Sequence, residues 1–435
     1  NTEEMADLRK KARDIDFSIF SKGSKKSLIG HKDRCFDCAY RKNNENIVAT
    51  ASEDCTTCIW NISSKNVKLV QSLSGYKGEV TRVSWSPISV KNGGLLVTGS
   101  ADGGARIYRE SSDDMSMMES KPIHIIEHGD RNEVYGCFFT DGINTSHGPS
   151  LMTASHDEVH CFDLERLLSS SSSLSTSAPS SLEIDSWRYR PVEDAPVFGG
   201  VERNETRSAF IFDIQMCNSQ PLLAAALSDG SARVTCPKGN ENVATVICDG
   251  LGTLTTVNWA PDGLTLATTC GSGTTLLWDV RTWTCRSVLQ GGHSKSCFGC
   301  VFHPTHNDLL VTWSSDGTIS CWDTIQGEKI ETTELESTTL KKKDNNDVCL
   351  EPQAKRQQFE LPTSQPTPSD FDLPKPLTIS SFPFETSFEK QGKSTSVIFP
   401  IYKCAMNQRG DQLIVAGGGG GKNSFLGTPV WVCNF

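Results

Sequence analysis

The stretch CFGCVF at residues 297–302 is one copy of a six-residue pattern that recurs along the whole chain. The other copies are CFDCAY at 35–40, VTRVSW at 80–85, VYGCFF at 134–139, IFDIQM at 211–216, LTTVNW at 254–259 and IYKCAM at 401–406. The copies that begin at 211, 254 and 297 are spaced by 43 residues. A repeat of this length is typical of a four-stranded propeller blade. The pattern therefore predicts seven similar units.

Each copy is followed by further apolar runs with the character of strands. One example is LLVTGSADG at 95–103, which ends in small residues and an Asp-Gly turn, and another is TISCW at 318–322. Runs rich in Val, Ile and Thr between such turns indicate β-strands. We therefore expect an all-β chain whose seven blades close into a ring, because closure removes exposed sheet edges. A segment near the N-terminus, at 25–30 or 15–20, is expected to supply the outer strand of the last blade.

Composition and charge exclude several classes of protein. The 435 residues include 42 Lys and Arg against 52 Asp and Glu, which gives a net charge of −10. A net acidic chain is a poor general binder of phosphate backbones, so direct binding of nucleic acid is not expected. No apolar run approaches the roughly 20 residues that span a bilayer. Residues 1–11 lack the apolar segment of a secretory signal, and the 17 Cys are an odd number, so we expect free thiols and a cytoplasmic or nuclear location.

The expected domain organisation is an N-terminal extension at residues 1–24 and one propeller at 25–435. Two stretches interrupt the repeats. The first, at about residues 165–200, contains a serine run at 169–173, and the second, at about 337–395, is rich in Pro and Lys. Such compositions do not bury enough apolar area to fold, so both are predicted to be disordered insertions.

Two cysteine pairs suggest a metal site. CFDC at 35–38 and CTTC at 55–58 are separated by 16 residues, which fits the spacing of a four-thiolate zinc site. However, the first pair lies in a predicted strand, where residues three apart face opposite sides. The pattern at 297–302 carries the same two Cys without a second pair nearby. We therefore interpret these Cys as small core residues and expect no metal and no small-molecule cofactor.

Sequence signs of catalysis are weak. The run AGGGGGKN at 416–423 lacks the first Gly and the final Ser or Thr of a phosphate-binding loop. No G-x-S-x-G motif is present. The sequence thus predicts no catalytic residues, and the chain is expected not to be an enzyme.

The chain resembles the WD40-repeat family over about residues 26–336 and 396–435. The residues that carry the resemblance are Gly30-His31, Gly292-His293, Trp278-Asp279 and Trp322-Asp323, with Trp60-Asn61 as a near match. The resemblance implies a seven-bladed β-propeller.

The family also has a hydrogen-bonded tetrad in its blades, which suits the requirement that buried polar groups have partners. The resemblance assigns its places to His31, Ser52, Asp54 and Trp60 in the first blade, and to His293, Ser314, Asp316 and Trp322 in the sixth. The other blades keep fewer of these residues: Tyr76 and Tyr108 replace His and Trp in the second, the third keeps His128, Ser155 and Asp157, the fourth keeps Asp229 and the fifth keeps Trp278.

The resemblance also implies a binding face. Propellers of this family bind partners mostly through the loops that enter each first strand and the turns after each second strand. The candidate partner-binding residues there are Arg34, Glu53, Glu79, Arg131 and His156. This mixture of charges suits a polar peptide or protein surface.

The expected function is therefore a non-catalytic protein–protein interaction scaffold or adaptor of a multi-subunit complex. An alternative rests on LATTCGSGTTLLWDVR at 266–281, which resembles the sixteen-residue box, ending in WDxR, of WD40 substrate receptors for cullin–RING ubiquitin ligases. Trp278, Asp279 and Arg281 match that box and would bind the adaptor, whereas Ser272 stands where the box has an acidic residue. A further alternative is an enzyme or a nucleic-acid-associated factor built on a propeller.

Overall fold

The computed structural model of the protein describes residues 25–434, except for 64–66, 88–93, 113, 115, 130–132, 142–147, 170–182, 190–208, 238–240, 249, 325–377, 384, 391–392 and 419–429. The first strand, β1 (Lys25–Leu28), belongs to the last blade of the chain. Every other blade consists of four consecutive antiparallel strands.

The first four blades follow one another along the chain. Blade 1 contains β2 (Cys35–Arg41), β3 (Asn44–Ser52), β4 (Thr57–Asn61) and β5 (Lys68–Leu73), and blade 2 contains β6 (Val80–Trp85), β7 (Leu95–Ser100), β8 (Gly104–Arg109) and β9 (His124–Glu127). Blade 3 contains β10 (Val134–Thr140), β11 (Ser150–Ser155), β12 (Glu158–Asp163) and β13 (Glu183–Arg188), with helix α1 (Leu164–Ser169) before its last strand. Blade 4 contains β14 (Ile211–Met216), β15 (Leu223–Leu227), β16 (Ser231–Cys236) and β17 (Glu241–Ile247).

The last three blades complete the ring. Blade 5 contains β18 (Leu254–Trp259), β19 (Thr265–Cys270), β20 (Thr275–Asp279) and β21 (Thr284–Leu289), and blade 6 contains β22 (Cys297–His303), β23 (His306–Ser314), β24 (Thr318–Asp323) and β25 (Thr378–Pro383). A separate hairpin follows, formed by β26 (Glu385–Lys390) and β27 (Lys393–Ile398). Blade 7 contains β28 (Ile401–Met406), β29 (Gln412–Gly417), β30 (Val430–Asn434) and β1.

The first strands of the blades form the inner wall of the ring. Each first strand contacts the first strands of both neighbouring blades, and the circuit closes from β28 back to β2. The prediction of a seven-bladed propeller is therefore confirmed.

The six-residue pattern has a structural cause. In all seven first strands the pairing register shifts by one residue between the first and third places of the pattern, as between Cys297 and Gly299. Such a β-bulge changes the alternation of side chains. The first and fourth places are therefore both buried, as Cys297 and Cys300 show.

An N-terminal strand closes the ring, as predicted. Strand β1 pairs antiparallel with β30, with Lys25 opposite Cys433 and Leu28 opposite Val430. Residues 25–28, rather than 15–20, therefore supply the outer strand of blade 7. Leu28 packs in an apolar cluster with Ile414 and Val430.

Both predicted insertions were drawn too wide. The stretch at about 165–200 includes most of α1 and all of β13, and the stretch at about 337–395 includes β25 and β26. The fourth strand lies at the outer edge of its blade and has only one strand neighbour. Its apolar pattern is therefore weaker, which is why composition did not separate it from the insertion. The remaining residues of both stretches lie mostly outside the described residues.

Ring closure predicts a large effect of trimming Leu28. Leu28→Ala removes a side chain that is 1% exposed, and the resulting cavity should lower the free energy of unfolding by about 2–5 kcal/mol. The neighbouring Ile29 is 75% exposed, so Ile29→Ala should change it by only about 0.5 kcal/mol. Urea unfolding of both variants measures the difference, and equal effects would mean that β1 does not close the ring.

Candidate functional site

A buried hydrogen-bonded network holds the loop of blade 1 against its sheet. Nδ1 of His31 lies 3.0 Å from Oδ2 of Asp54, and Nε2 of His31 lies 2.7 Å from Oγ1 of Thr50. The indole Nε1 of Trp60 donates to the same Thr50 oxygen at 2.8 Å. The network thus connects the loop before β2, the turn after β3 and strand β4.

The central hydroxyl of this network is Thr50 and not Ser52, which corrects the tetrad expected from the sequence. Ser52 instead donates its hydroxyl to the carbonyl of Arg34 at 2.8 Å and accepts the Asp54 amide at 3.2 Å. Residues two apart in a strand share a face, so the sequence did not distinguish the two hydroxyls. The position of each hydroxyl along β3 decides that Thr50, and not Ser52, meets the indole of Trp60.

Blade 6 repeats the arrangement with a different partner for its histidine. Thr312, rather than Ser314, bonds Nε2 of His293 at 2.7 Å and Nε1 of Trp322 at 2.8 Å. Ser314 donates to the carbonyl of Ser296 at 2.9 Å. Nδ1 of His293 meets Thr318 at 2.8 Å, whereas Oδ1 of Asp316 is 3.9 Å away.

The two histidines titrate differently for this reason. Burial alone would lower the pKa of His31, but its hydrogen bonds to Asp54 and Cys58 outweigh burial and raise that pKa to about 9. Burial dominates at His293, where the charge of Asp316 compensates only in part, and the pKa falls to about 4.

The glycine before each of these histidines leaves space for the tryptophan. A Cβ on Gly30 would lie 2.7 Å from the ring of Trp60, and one on Gly292 would lie 2.4 Å from the ring of Trp322. The Gly-His pairs that carry the family resemblance are therefore packing requirements of the network.

Other blades keep parts of the network with substitutes. The hydroxyl of Tyr76 lies 3.0 Å from Oγ1 of Thr98 in blade 2. In blade 5 the indole of Trp278 donates to Thr268 at 3.0 Å, and Sγ of Cys248 approaches the same oxygen at 3.6 Å. Blade 5 thus retains the Thr–Trp bond, with a thiol beside it.

Blades 3 and 4 have other contacts at the places of the network. In blade 4, Arg233 reaches the carboxylate of Asp229 at 3.4 Å. In blade 3 the ring of His128 lies 5.0 Å from that of His160. The places of the network are therefore filled by different contacts in different blades.

We call the side of the ring formed by the loops before the first strands and the turns after the second strands the loop face. Arg34 and Glu53 lie there and form a bidentate ion pair through Nε and Nη2 of the guanidinium. The guanidinium also lies 5.7 Å from the ring centre of Phe36 and donates to the hydroxyl of Tyr402 at 3.5 Å. This side chain is therefore ordered by four contacts.

Two other predicted residues also lie on the loop face. Nδ1 of His156 is 3.0 Å from Oδ1 of Asp157, and its ring lies 4.4 Å from the 46% exposed ring of Phe210. Burial raises the pKa of Glu79, and the negative charge of Glu53 raises it further. The fifth candidate, Arg131, lies outside the described residues.

The sequence reasoning missed an aromatic set on this face. The second place of the pattern sits inside the bulge; it is partly exposed in every blade except blade 2, and in five blades it is aromatic. We call these residues the aromatic collar: Phe36, Tyr135, Phe212, Phe298 and Tyr402. The recurrence of aromatic residues at one place of the pattern was a signal that the sequence already contained.

A polar cavity of about 440 Å³ lies among the first strands. Asp37 and Asp213 line it, and each accepts a backbone N–H from the next blade, from Val83 at 2.9 Å and from Val257 at 3.4 Å. These carboxylates therefore join neighbouring blades.

The residues of the receptor box are placed differently from one another. Trp278 is 7% exposed and belongs to the blade 5 network, so it is not a surface residue. The side chain of Arg281 is 72% exposed but pairs with Asp279 at 2.7 Å in its own turn. This turn follows a third strand and lies on the side opposite to the loop face.

The cysteines of the zinc-like spacing are packed in the core. The bulge brings Cys35 and Cys38 into one apolar cluster with Cys58, so the expectation that the first two face opposite sides was wrong. All three are buried free thiols, whereas Cys55 is partly exposed. Within the described ranges, no group of three or more His, Cys, Asp or Glu side chains is arranged to hold a metal ion.

The geometry of the network predicts that a Thr→Val substitution lowers the free energy of unfolding more in blade 1 than in blade 5. Thr50→Val removes the hydroxyl that serves both Trp60 and His31, and we expect the free energy of unfolding to fall by roughly 2–4 kcal/mol. Thr268→Val removes one indole bond and a weak thiol contact, for which we expect about 1–2 kcal/mol. Urea unfolding measures both, and an equal loss would contradict the central role of Thr50.

The two histidines predict opposite effects of pH. The pKa of His31 is higher in the folded state, so its stabilisation, about 3 kcal/mol, is present below pH 6.5 and is lost as the pH rises through 9. The pKa of His293 is lower in the folded state, so stability is lost as the pH falls from 6.5 through 4. Urea unfolding midpoints measured from pH 4 to pH 9 check both effects. His31→Gln should no longer lose stability as the pH rises from 6.5 to 9, and His293→Gln should no longer lose stability as the pH falls from 6.5 to 4. If a variant keeps the pH dependence assigned to the histidine that it lacks, the assignment is wrong.

Comparison with known families agrees with this geometry. The model of the family described as WD domain, G-beta repeat, matches residues 22–61, 67–109, 243–279 and 283–323. Each matched range covers the outer strand of one blade and the first three strands of the next, so the sequence repeat is offset from the blade by one strand.

Curated relatives match over short segments. The chain is 37% identical over 76 residues to the WD repeat-containing protein WDS homolog of Arabidopsis thaliana, covering 17% of this chain and 14% of that protein. It is 35% identical over 77 residues to Protein CIA1 of Arabidopsis thaliana, covering 15% of this chain and 22% of that protein. The chain thus spans less than a quarter of either relative. The chain thus carries WD40 repeats in four places, within a closed ring of seven four-stranded blades that is a seven-bladed β-propeller.

Proposed function

We propose that the protein is a non-catalytic interaction scaffold or adaptor of a multi-subunit complex, with proteins or peptides as its partners. The four WD40 repeats and the propeller fold support this class, because propellers of this kind generally act as interaction platforms. The observation that carries the proposal is the loop face, where Arg34, Glu53 and Glu79 directly adjoin strand ends and the aromatic collar lies on the first strands, all of them exposed in part. Charged and aromatic groups that a sheet already holds in place favour binding, because they lose little conformational entropy.

The state of the histidines supports a non-catalytic role. His31 is 6% exposed, and both of its ring nitrogens are bonded within the blade 1 network. A catalytic base needs to reach the proton that it removes from a substrate. Both ring nitrogens of His31 instead hold the loop before β2 against the sheet of blade 1.

The proposed partners and location follow from charge and from the cysteines. A net charge of −10 disfavours direct contact with nucleic acid, so we expect protein partners. The cysteines of the described residues are free thiols, so we expect the cytoplasm or the nucleus as the location. No helix among the described residues is long and apolar enough to cross a membrane.

A ubiquitin-ligase receptor is the second candidate. The exposed guanidinium of Arg281, on the side opposite to the loop face, is the observation that favours it. Its pairing with Asp279 means that an adaptor would compete with an existing bond. Recovery of a cullin adaptor with the wild-type chain, lost on Arg281→Ala, would support this candidate, and its absence with wild type would remove it.

The scaffold proposal predicts that exchanging one ion pair disrupts partner binding. The double variant Arg34→Glu/Glu53→Arg keeps a salt bridge and the net charge but reverses the charges offered on the loop face. We expect the fold to persist and the free energy of unfolding to change by at most about 1 kcal/mol, because a partly exposed ion pair contributes little to stability. We expect the partners recovered with the tagged full chain to fall roughly tenfold, as for loss of a central contact. Quantitative mass spectrometry of affinity-purified complexes measures this.

The matched control is Arg281→Ala, which changes the opposite side of the ring. It should leave the loop-face partners unchanged. If the exchanged pair recovers every partner at wild-type amounts, the loop face is not the binding surface.

A further inference from the structure

The polar cavity of about 440 Å³ reaches the surface on the side of the ring opposite to the loop face. Its walls begin at the third place of the six-residue pattern, which is occupied by Asp37, Arg82, Gly136, Asp213 and Lys403 in the five blades that line it. They end at exposed residues that directly follow the first strands, among them Lys42 and Asp141. Sites for small molecules commonly have volumes of about 300–1,000 Å³, so the cavity is large enough for such a ligand.

The side chain of Arg82 crosses the ring at the loop-face end of this cavity. Its Nη1 donates to the carbonyl of Thr81 at 3.1 Å, and its Nη2 donates to the carbonyl of Phe212, two blades away, at 2.8 Å. The third place of the blade between them is Gly136, which has no side chain to obstruct this path. The guanidinium therefore covers part of the loop-face end and adds positive charge there.

The two carboxylates of the wall differ in how fully they are bonded. The two oxygens of Asp37 accept the backbone N–H groups of Cys38 and Val83, both at 2.9 Å. Among the described residues, Asp213 accepts only the N–H of Val257, at 3.4 Å. A carboxylate can accept several hydrogen bonds. Asp213 therefore keeps the capacity to accept a further donor from the cavity.

The two cations of the wall have no carboxylate partner in the part of the chain that the structure describes. The guanidinium of Arg82 donates only to carbonyls, and its Nε is buried without a hydrogen-bond partner. The half-buried side chain of Lys403 has no hydrogen bond or ion pair there. Charges that are partly removed from water without a partner are costly. The cavity thus presents unpaired positive charge from blades 2 and 7 and a carboxylate from blade 4.

We propose that this cavity binds a small zwitterion, which places an amino group on Asp213 and a carboxylate on Lys403, near the charge of Arg82. The third places of the pattern carry two carboxylates and two cations, so the wall has no net charge. A ligand with both charges pairs with each sign, whereas an ion of one sign also meets a like charge. The walls come from five blades that meet only in the closed ring, so no sequence pattern predicted the site.

The inference stands apart from the proposed scaffold function, because the cavity opens away from the loop face. The test uses the full chain and saturation-transfer difference NMR titrations. The probes are three zwitterions of increasing length, 3-aminopropionate, 4-aminobutyrate and 6-aminohexanoate. Butyrate and butylamine each carry only one of the two charges. We expect at least one zwitterion to bind about fivefold or more tightly than either of these compounds.

Two variants separate the two ends of the ligand. Lys403→Met keeps much of the side-chain volume and should weaken the zwitterion and butyrate by about fivefold, but not butylamine. Asp213→Asn keeps an oxygen that can accept the N–H of Val257 and should weaken the zwitterion and butylamine to a similar extent, but not butyrate. A change that only disturbed the fold would weaken all of these compounds together. Urea unfolding checks that Asp213→Asn is folded, and Lys403→Met tests the cavity independently of that variant.

The matched control is Lys295→Met, which removes the same charge from an exposed position in the loop before β22, outside the cavity. This variant should bind the zwitterion like wild type. Equal weakening by Lys295→Met would show general attraction to charge and overturn the proposal. Absence of binding of all three zwitterions to wild type, or equally tight binding of butyrate or butylamine, would also overturn it.

Discussion

The pairing of β1 with β30 is the interaction on which the rest of the structure depends. Each blade buries apolar side chains against its neighbours, and an open ring would expose one such face and one strand edge. Closure also fixes the first strands relative to one another, since each contacts two others in a continuous circuit. The loops that these strands carry are therefore held in one arrangement, and this is what makes the loop face a single surface.

Neighbouring blades are further joined by polar groups from the repeated pattern. The indoles of Trp85 and Trp259, at its last place, donate to the carbonyls of Ala39 and Gln215 in the preceding blade at 3.2 and 3.0 Å. The carboxylate of Asp37 accepts the amide of Val83 in the following blade. Each matched sequence repeat covers the outer strand of one blade and three strands of the next, so it contributes both to a sheet and to the contact between two blades. The contacts that stabilise the ring are therefore distributed over its blades.

The β-bulge of the first strands connects packing with function. It places the first and fourth residues of each pattern in the core and leaves the second residue partly exposed in six of the seven blades, in five of which it is aromatic. The buried networks of His31 and His293 then fix the loops beside these rings. One backbone irregularity, repeated seven times, therefore produces both the inner wall and the aromatic collar.

The sequence by itself determined the number of blades, their four-stranded character and the closing strand, because these follow from local apolar patterns and the spacing of the repeat. It also identified the histidines and tryptophans of the networks. Tertiary structure alone decided that Thr50 and Thr312, rather than Ser52 and Ser314, complete them, since residues of one strand face differ only in depth. It also decided that Cys35 and Cys38 share a cluster, because a bulge is not visible in a pattern of alternation, and that the ring of Tyr402 meets Phe298 and Phe36 of the two neighbouring blades, because such contacts exist only after the ring has closed.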